Sequence, residues 1–220
     1  MEEYIARRLK GLEVGEEERE WLERAVDFHG HLCGGLIIGV RMGLLGLKEL
    51  GVRRAKGEEL LAIVENDTCA ADGIQVVTGC TFGKGNFIFR DWGKMAATFY
   101  DRNKKRGVRI SISPEALEKM REFREMIHKL LKEKGNLPFE EVFEEVRREL
   151  SGSNLEKKME KMLLEMEDDK LFDVREVEIE APTKARIFAS VICEECGEAV
   201  MEPRARLKLG KIVCIPCLEG

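Results

Sequence analysis

Between Glu16 and Phe28, apolar residues recur at Trp21, Leu22, Ala25, Val26 and Phe28 while charged residues fill the opposite side. That is the stripe of a helix with one buried face. Residues 29–35 read HGHLCGG, and the LIIGVRMGLLGLKEL that follows is apolar almost all round until Lys48, with Arg41 as the interruption. A glycine-rich turn entering a buried helix is expected there. The run Leu60 to Val64 ends in Glu65, Asn66 and Asp67, as a buried strand would. Asp67 or Thr68 can then cap a helix through Thr78, which places Cys69 in or near its first turn.

From Asn86 the text changes to NFIFRDWG, KMAATFYDRN and RGVRISI, divided by Asp-Trp-Gly and Asn-Lys-Lys-Arg-Gly turns. The pattern predicts three antiparallel strands. Pro114 opens a charged helical stretch to Lys134 with Gly135 as its stop, and Pro138 opens another to Leu150. Ser151 to Asn154 breaks the chain before one more amphipathic helix, Leu155 to about Met166. The mixed charge along these helices reads as solvated faces. The fold class is therefore α+β: residues 1–113 form a core with an antiparallel sheet and packed helices, 114–187 a charged helical region and connection that can pack on the core, and 188–220 a small terminal module.

Composition narrows the setting. The 220 residues suffice for one main domain plus an accessory. Charged residues make up 36% and aromatics 6%, with one Gln and five Asn, the bias of a heat-adapted cytosolic protein. A net charge of -5 gives no overall basic field, so nonspecific binding to nucleic acid or acidic membranes is not expected. Leu36 to Leu47 is too short to span a bilayer, and the acidic N-terminus is no secretory signal. A cytoplasmic protein is the expectation.

Seven cysteines suit metal ligation better than a disulfide framework. Cys193 and Cys196 are followed, after seventeen intervening residues, by Cys214 and Cys217, the spacing of two knuckles around one tetrahedral zinc ion. Two residues between thiolates let a tight turn aim both sulfurs at one ion, and Gly197 follows where the backbone needs freedom. Four thiolates leave no open position, so this zinc is structural. Arg204, Arg206, Lys208 and Lys211 between the knuckles can form a small basic face.

His29, His31 and Cys33 alternate, so an extended segment would put all three on one face and offer a second transition metal of unknown identity a site. Cys33 and Cys69 each precede a helix, where the dipole favours thiolate. The alternative is that both are small buried hydrophobes and the histidines bond to the backbone. Residues 78–86, TGCTFGKGN, carry Cys80 and Lys84 in a glycine-rich loop that lacks the spacing of a P-loop but suits either an anion nest or a structural hairpin. Asp72, one turn after Cys69, can serve as a general base, as a carboxylate behind a ligand, or as a surface residue.

With FHGHLCGG at 28–35, CAADGIQVVTGCTFGKGN at 69–86, DWGK at 91–94 and the terminal CxxC pairs, the chain resembles the FmdE-like family associated with formylmethanofuran dehydrogenase. The resemblance implies an α+β core whose HGHxC turn and later cysteines gather at a pocket, a C-terminal zinc domain, and dimers. That family usually has Pro after the first cysteine, where Gly34 stands here. It also implies a link to molybdenum or tungsten formylmethanofuran dehydrogenase and so to one-carbon metabolism. The expected function is a metal-binding accessory protein or enzyme with Cys69, Asp72 and Lys84 as catalytic candidates and His29, His31, Cys33, Cys69 and Cys80 as core ligands. A homodimer is expected, with oxidoreductase subunits as further partners. The alternative is a regulatory or adaptor protein whose ribbon binds nucleic acid or a partner subunit.

Overall fold

The structure is a computed structural model that describes residues 5, 6, 8, 9, 14–133, 148 and 153–220. The helix expected over 138–150 lies outside the described residues. The chain divides into two compact units, Met1–Thr183 and Lys184–Gly220.

In the larger unit, helix α1 (Glu16–His29) buries Leu22, Ala25 and Val26 and stops at Gly30, whose φ of 97° lets its N–H return to the Val26 carbonyl at 2.7 Å. Helix α2 (Gly34–Leu50) follows and is buried on nearly every side. Strand β1 (Leu60–Val64) leads to helix α3 (Ala70–Thr78). The two helices cross through glycines: a methyl on Gly39 would lie 2.2 Å from the Ala70 carbonyl oxygen, and one on Gly73 2.6 Å from the Val40 nitrogen. Backbone-to-backbone contact at that crossing draws the two helix N-termini together. Arg41, the one buried charge of α2, is spent on structure. It donates to the Leu163 and Met166 carbonyls at 2.6 and 2.7 Å and to Asp168, holding the end of helix α6 (Asn154–Glu165).

Strands β2 (Phe87–Phe89), β3 (Ala96–Asp101), β4 (Arg106–Ile112) and β5 (Phe172–Val177) complete a sheet ordered β2-β1-β3-β4-β5. β3 and β4 form the expected antiparallel hairpin, but β2 runs parallel to β1, with Ala62 opposite Phe87. The reason is α3, which carries the chain back to the start of β1 before β2 begins. β5 has no counterpart in the sequence reading: FDVREV carries Asp173, Arg175 and Glu176 and is mostly exposed, so it lacks an apolar run. It pairs antiparallel with β4, placing residues from the 114–187 stretch in the core sheet. Leu60, Ala62, Val64, Phe99, Val108 and Ile110 join the helices in the main core, while Leu61, Ile63 and Tyr100 pack on the other face under Ile179 and Ala181.

The charged stretch from Pro114 divides at Met120 into α4 (Pro114–Lys119), capped by Ser113, and α5 (Arg121–Glu133). A short helix α7 (Asp168–Leu171) precedes β5. The smaller unit holds hairpins β6–β7 (Ser190–Ile192, Ala199–Met201) and β8–β9 (Arg206–Lys208, Lys211–Val213), and a terminal turn of helix, α8 (Ile215–Glu219).

Candidate metal centres

In the smaller unit the two hairpins deliver Cys193, Cys196, Cys214 and Cys217 to one place, with all four sulfurs within 4.8 Å of one another. The Cys196 and Cys214 sulfurs stand 3.8 Å apart, close to the roughly 3.8 Å edge of a tetrahedron with zinc–sulfur bonds of about 2.3 Å. Gly197 has a φ of 78° at the first knuckle, where its N–H bonds the Cys193 carbonyl. Backbone N–H groups of Cys196 and Cys214 point at the Cys193 sulfur and lower its thiol to about 6. The same pattern of N–H donors onto sulfur suits a four-thiolate zinc. Four sulfurs at this separation fit a closed structural site, with the Glu198 carboxylate outside it at 3.9 Å from the Cys196 sulfur.

The second cluster lies between α1 and α2. His29 is the last residue of α1, Gly30 reverses the chain, and Cys33 caps α2 in an extended conformation, its sulfur accepting the Leu36 N–H at 3.5 Å. Donor atoms of His29, His31 and Cys33 all fall within 4.8 Å of one another. They converge through a helix end and a left-handed glycine, not through the extended alternation expected from the sequence. The Cys33 sulfur is 3.9 Å from His29 Nε2, and the two imidazoles lie with centroids 4.6 Å apart and planes tilted by 34°.

Asp72 is the residue behind the cluster. Its Oδ2 meets His29 Nδ1 at 2.7 Å, so Nδ1 carries the proton and Nε2 is left to face Cys33. The carboxylate comes from the first turn of α3, placed by the glycine crossing. Cys69, at the N-cap of the same helix, neighbours Cys33 but is not among the donors that fall within 4.8 Å of one another. Interaction with Cys69 and burial raise the Cys33 thiol, whereas Cys33 and the neighbouring His29 lower Cys69 to about 6. Cys69 has helical dihedrals (φ -50°, ψ -22°) and no side-chain cap bond, and Thr68 bonds Asn66 Oδ1 at 3.0 Å instead of capping. The Cys69 sulfur is thereby left available to the cluster. Two imidazoles, a thiol and a second thiol alongside make a donor set that suits zinc, iron or copper.

Cys80 and Lys84 are not brought to this cluster. Cys69 precedes α3 and Cys80 follows it, about 13 Å of helix away. The Cys80 thiol is fully buried, faces the Leu60 carbonyl at 3.4 Å, and is pushed up to about 11 by burial. Lys84 reaches the Gly57 carbonyl at 3.3 Å, beside the start of β1, whereas Cys69 lies beyond its end. The glycine-rich loop is a structural turn pinned by Asn86, whose side chain bonds Thr81, Gly57 and Leu60.

Two neighbours carried no sequence signal. Met159 of α6 lies over the turn: a methyl on Gly34 would meet its Cε at 2.5 Å and Leu163 at 3.1 Å. Glycine at 34, where the resembling family has proline, makes room for that methionine. Gly35 likewise admits the Cys69 Cβ, which lies 3.1 Å from where its own methyl would be.

Two family models match the chain: "FmdE, Molybdenum formylmethanofuran dehydrogenase operon" over residues 28–173, and "Prokaryotic dksA/traR C4-type zinc finger" over 186–220. A curated relative from Archaeoglobus fulgidus, called a probable S-adenosyl-L-methionine-binding protein, is 37% identical over 209 residues. The match takes in 89% of this chain but 52% of the relative, so the chain spans about half the length of that protein. Among solved structures, an FmdE-like protein of the tungsten formylmethanofuran dehydrogenase type from Syntrophus aciditrophicus superposes with a TM-score of 0.56 at 27% identity, covering 91% of each chain.

Proposed function

The chain belongs to the FmdE family, and from that premise we propose that it is a metal-binding accessory protein or enzyme serving molybdenum or tungsten formylmethanofuran dehydrogenase chemistry, with a core metal in addition to the ribbon zinc. The observation that carries this reading is the convergence of His29, His31 and Cys33 with Asp72 behind His29. A buried packing role would need neither two adjacent imidazoles nor a carboxylate that fixes one tautomer. His29 Nε2, His31 and the Cys33 thiolate would hold the ion, with Cys69 beside them. A metal bound by three such donors supplies a Lewis acid with a position for water or a small ligand. The N-terminus of α3 favours the Cys69 thiolate, and the bound ion would draw the proton from Cys33.

Metal analysis of protein purified anaerobically from its own organism tests the proposal. The full chain is expected to hold two ions, and the double variant His31→Ala/Cys33→Ala one, with the ribbon zinc retained. Full metal content in the double variant, or never more than one ion in the wild type, would sink it. Native oligomerisation belongs to the same reading: a homodimer is expected by light scattering, and a monomer at high micromolar concentration would contradict it. The name of the Archaeoglobus relative adds S-adenosyl-L-methionine as a ligand to try by equilibrium dialysis.

A second reading, an adaptor whose ribbon contacts nucleic acid or a partner protein, draws support from the zinc-finger match and from Arg206 and Lys211, both exposed on β8 and β9. A salt titration of nucleic-acid binding separates it from the first, because phosphate contacts weaken affinity as salt rises.

A further inference from the structure

Below the sheet, at the end away from the histidines, the loop after α2 and the β3–β4 turn enclose a cleft of about 400 Å³. Arg53, Arg54, Lys56 and Lys104 line it, together with Glu59 and Asp101. Both carboxylates are consumed by their own turns. Glu59 accepts the N–H groups of Lys56 and Gly57 at 2.7 and 2.9 Å, and Asp101 those of Asn103 and Lys104 at 2.9 and 3.3 Å. Lys104 is spent as well, since its ammonium donates to the Leu50 and Gly51 carbonyls at 2.8 and 3.0 Å and neutralises the negative end of α2.

Three cations remain. Among the described residues the side chains of Arg53 and Lys56 have no protein partner, and Arg54 uses only Nε, on the Val76 carbonyl at 2.9 Å, leaving both terminal nitrogens. The backbone between them is fixed: buried Ala55 donates to the Thr78 carbonyl at 2.8 Å, and Gly79 lies so close that a methyl there would stand 2.4 Å from the Ala55 oxygen. Three unspent cations on a fixed loop carry little ordering cost when they bind a ligand, beyond that of their own side chains.

We propose that this cleft binds a small phosphorylated molecule, with Arg54 as the oriented donor and Arg53 and Lys56 closing on the phosphate. The cleft's size suits a compact metabolite. A long polyanion is disfavoured because the chain as a whole carries a net charge of -5. The site is independent of the core metal and stands or falls separately from it.

Isothermal titration of the full chain with inorganic pyrophosphate at low salt is the test. One equivalent should bind with sub-millimolar affinity, and Arg53→Ser/Lys56→Ser should weaken it by about tenfold or more, since each charge-assisted bond removed is worth about that factor. The same charge change made at a distance, Arg121→Ser/Lys129→Ser, should leave affinity within about twofold, because screening isolates charges beyond roughly 10 Å. All four residues are exposed, so melting temperature and metal content should stay at wild-type values in both variants. Absence of saturable pyrophosphate binding overturns the proposal, as does affinity that survives in the first variant or falls equally in the second. Binding of a single-stranded oligonucleotide without any of pyrophosphate would overturn it too.

Discussion

His29 and Asp72 are 43 positions apart in the chain, and the 2.7 Å contact between them decides which imidazole nitrogen faces the cluster. Asp72→Asn keeps the shape but removes the charge that fixes the tautomer. Core-metal affinity is expected to fall about 10- to 100-fold, read by competition with a chromogenic chelator, while ribbon zinc is unchanged. Undiminished affinity would mean that Asp72 does no more than close the surface. A second residue-scale expectation concerns Glu160, which is 3% exposed and paired with Arg8. Burial outweighs the arginine and raises its carboxyl from 4.5 to about 6. Between those values the unfolded chain releases the proton while the folded chain keeps it, so stability falls as pH rises through the window and is level above it, by at most about 2 kcal/mol. Glu160→Gln should flatten that fall in melts taken from pH 4 to 7. The donors His29, His31 and Cys33 were legible in the sequence because soft ligands rarely crowd into five positions. Asp72 was visible only as one of several readings, and Glu160 not at all, because nothing local distinguishes one carboxylate among 42 acidic residues.

At the scale of elements, the α2–α3 crossing positions the core cluster. Gly39→Ala would drive a methyl into the Ala70 backbone, which cannot swing aside as a side chain would. A loss of about 3 kcal/mol or more is expected from thermal melts, at the upper end of overpacking costs, together with weaker core-metal binding. Gly83→Ala, with open space around its position, is the contrast and should lose under about 1 kcal/mol. The sequence showed α1, α2, β1, the β3–β4 hairpin and α6, because each carries a long apolar run or a clear stripe. It misjudged the direction of β2, since three residues of strand give no sign of which neighbour they pair with. β5 escaped for a related reason: an edge strand whose exposed positions are Val174, Arg175 and Glu176 has a largely polar text, and only its partner β4 makes it a strand.

At the scale of the whole molecule, the ribbon is a separate compact unit, and its four clustered cysteines predict that its order depends on metal. A fragment from residue 186 onward is expected to gain structure only with zinc, and Cys196→Ser in the full chain should abolish protection of the ribbon amides while the core melts as before. A ribbon equally ordered in strong chelator would contradict this. The spacing of the four cysteines announced that unit fully, whereas the core sheet draws on chain far beyond its apparent end. β4 ends at Ile112 and its partner β5 begins at Phe172, with the 59 residues 113–171 between them. A ribosome making about 5–20 residues per second therefore leaves the β4 edge uncovered for roughly 3–12 seconds. During that interval the newborn chain presents an unpaired strand to its neighbours, an edge on which other nascent chains could pair.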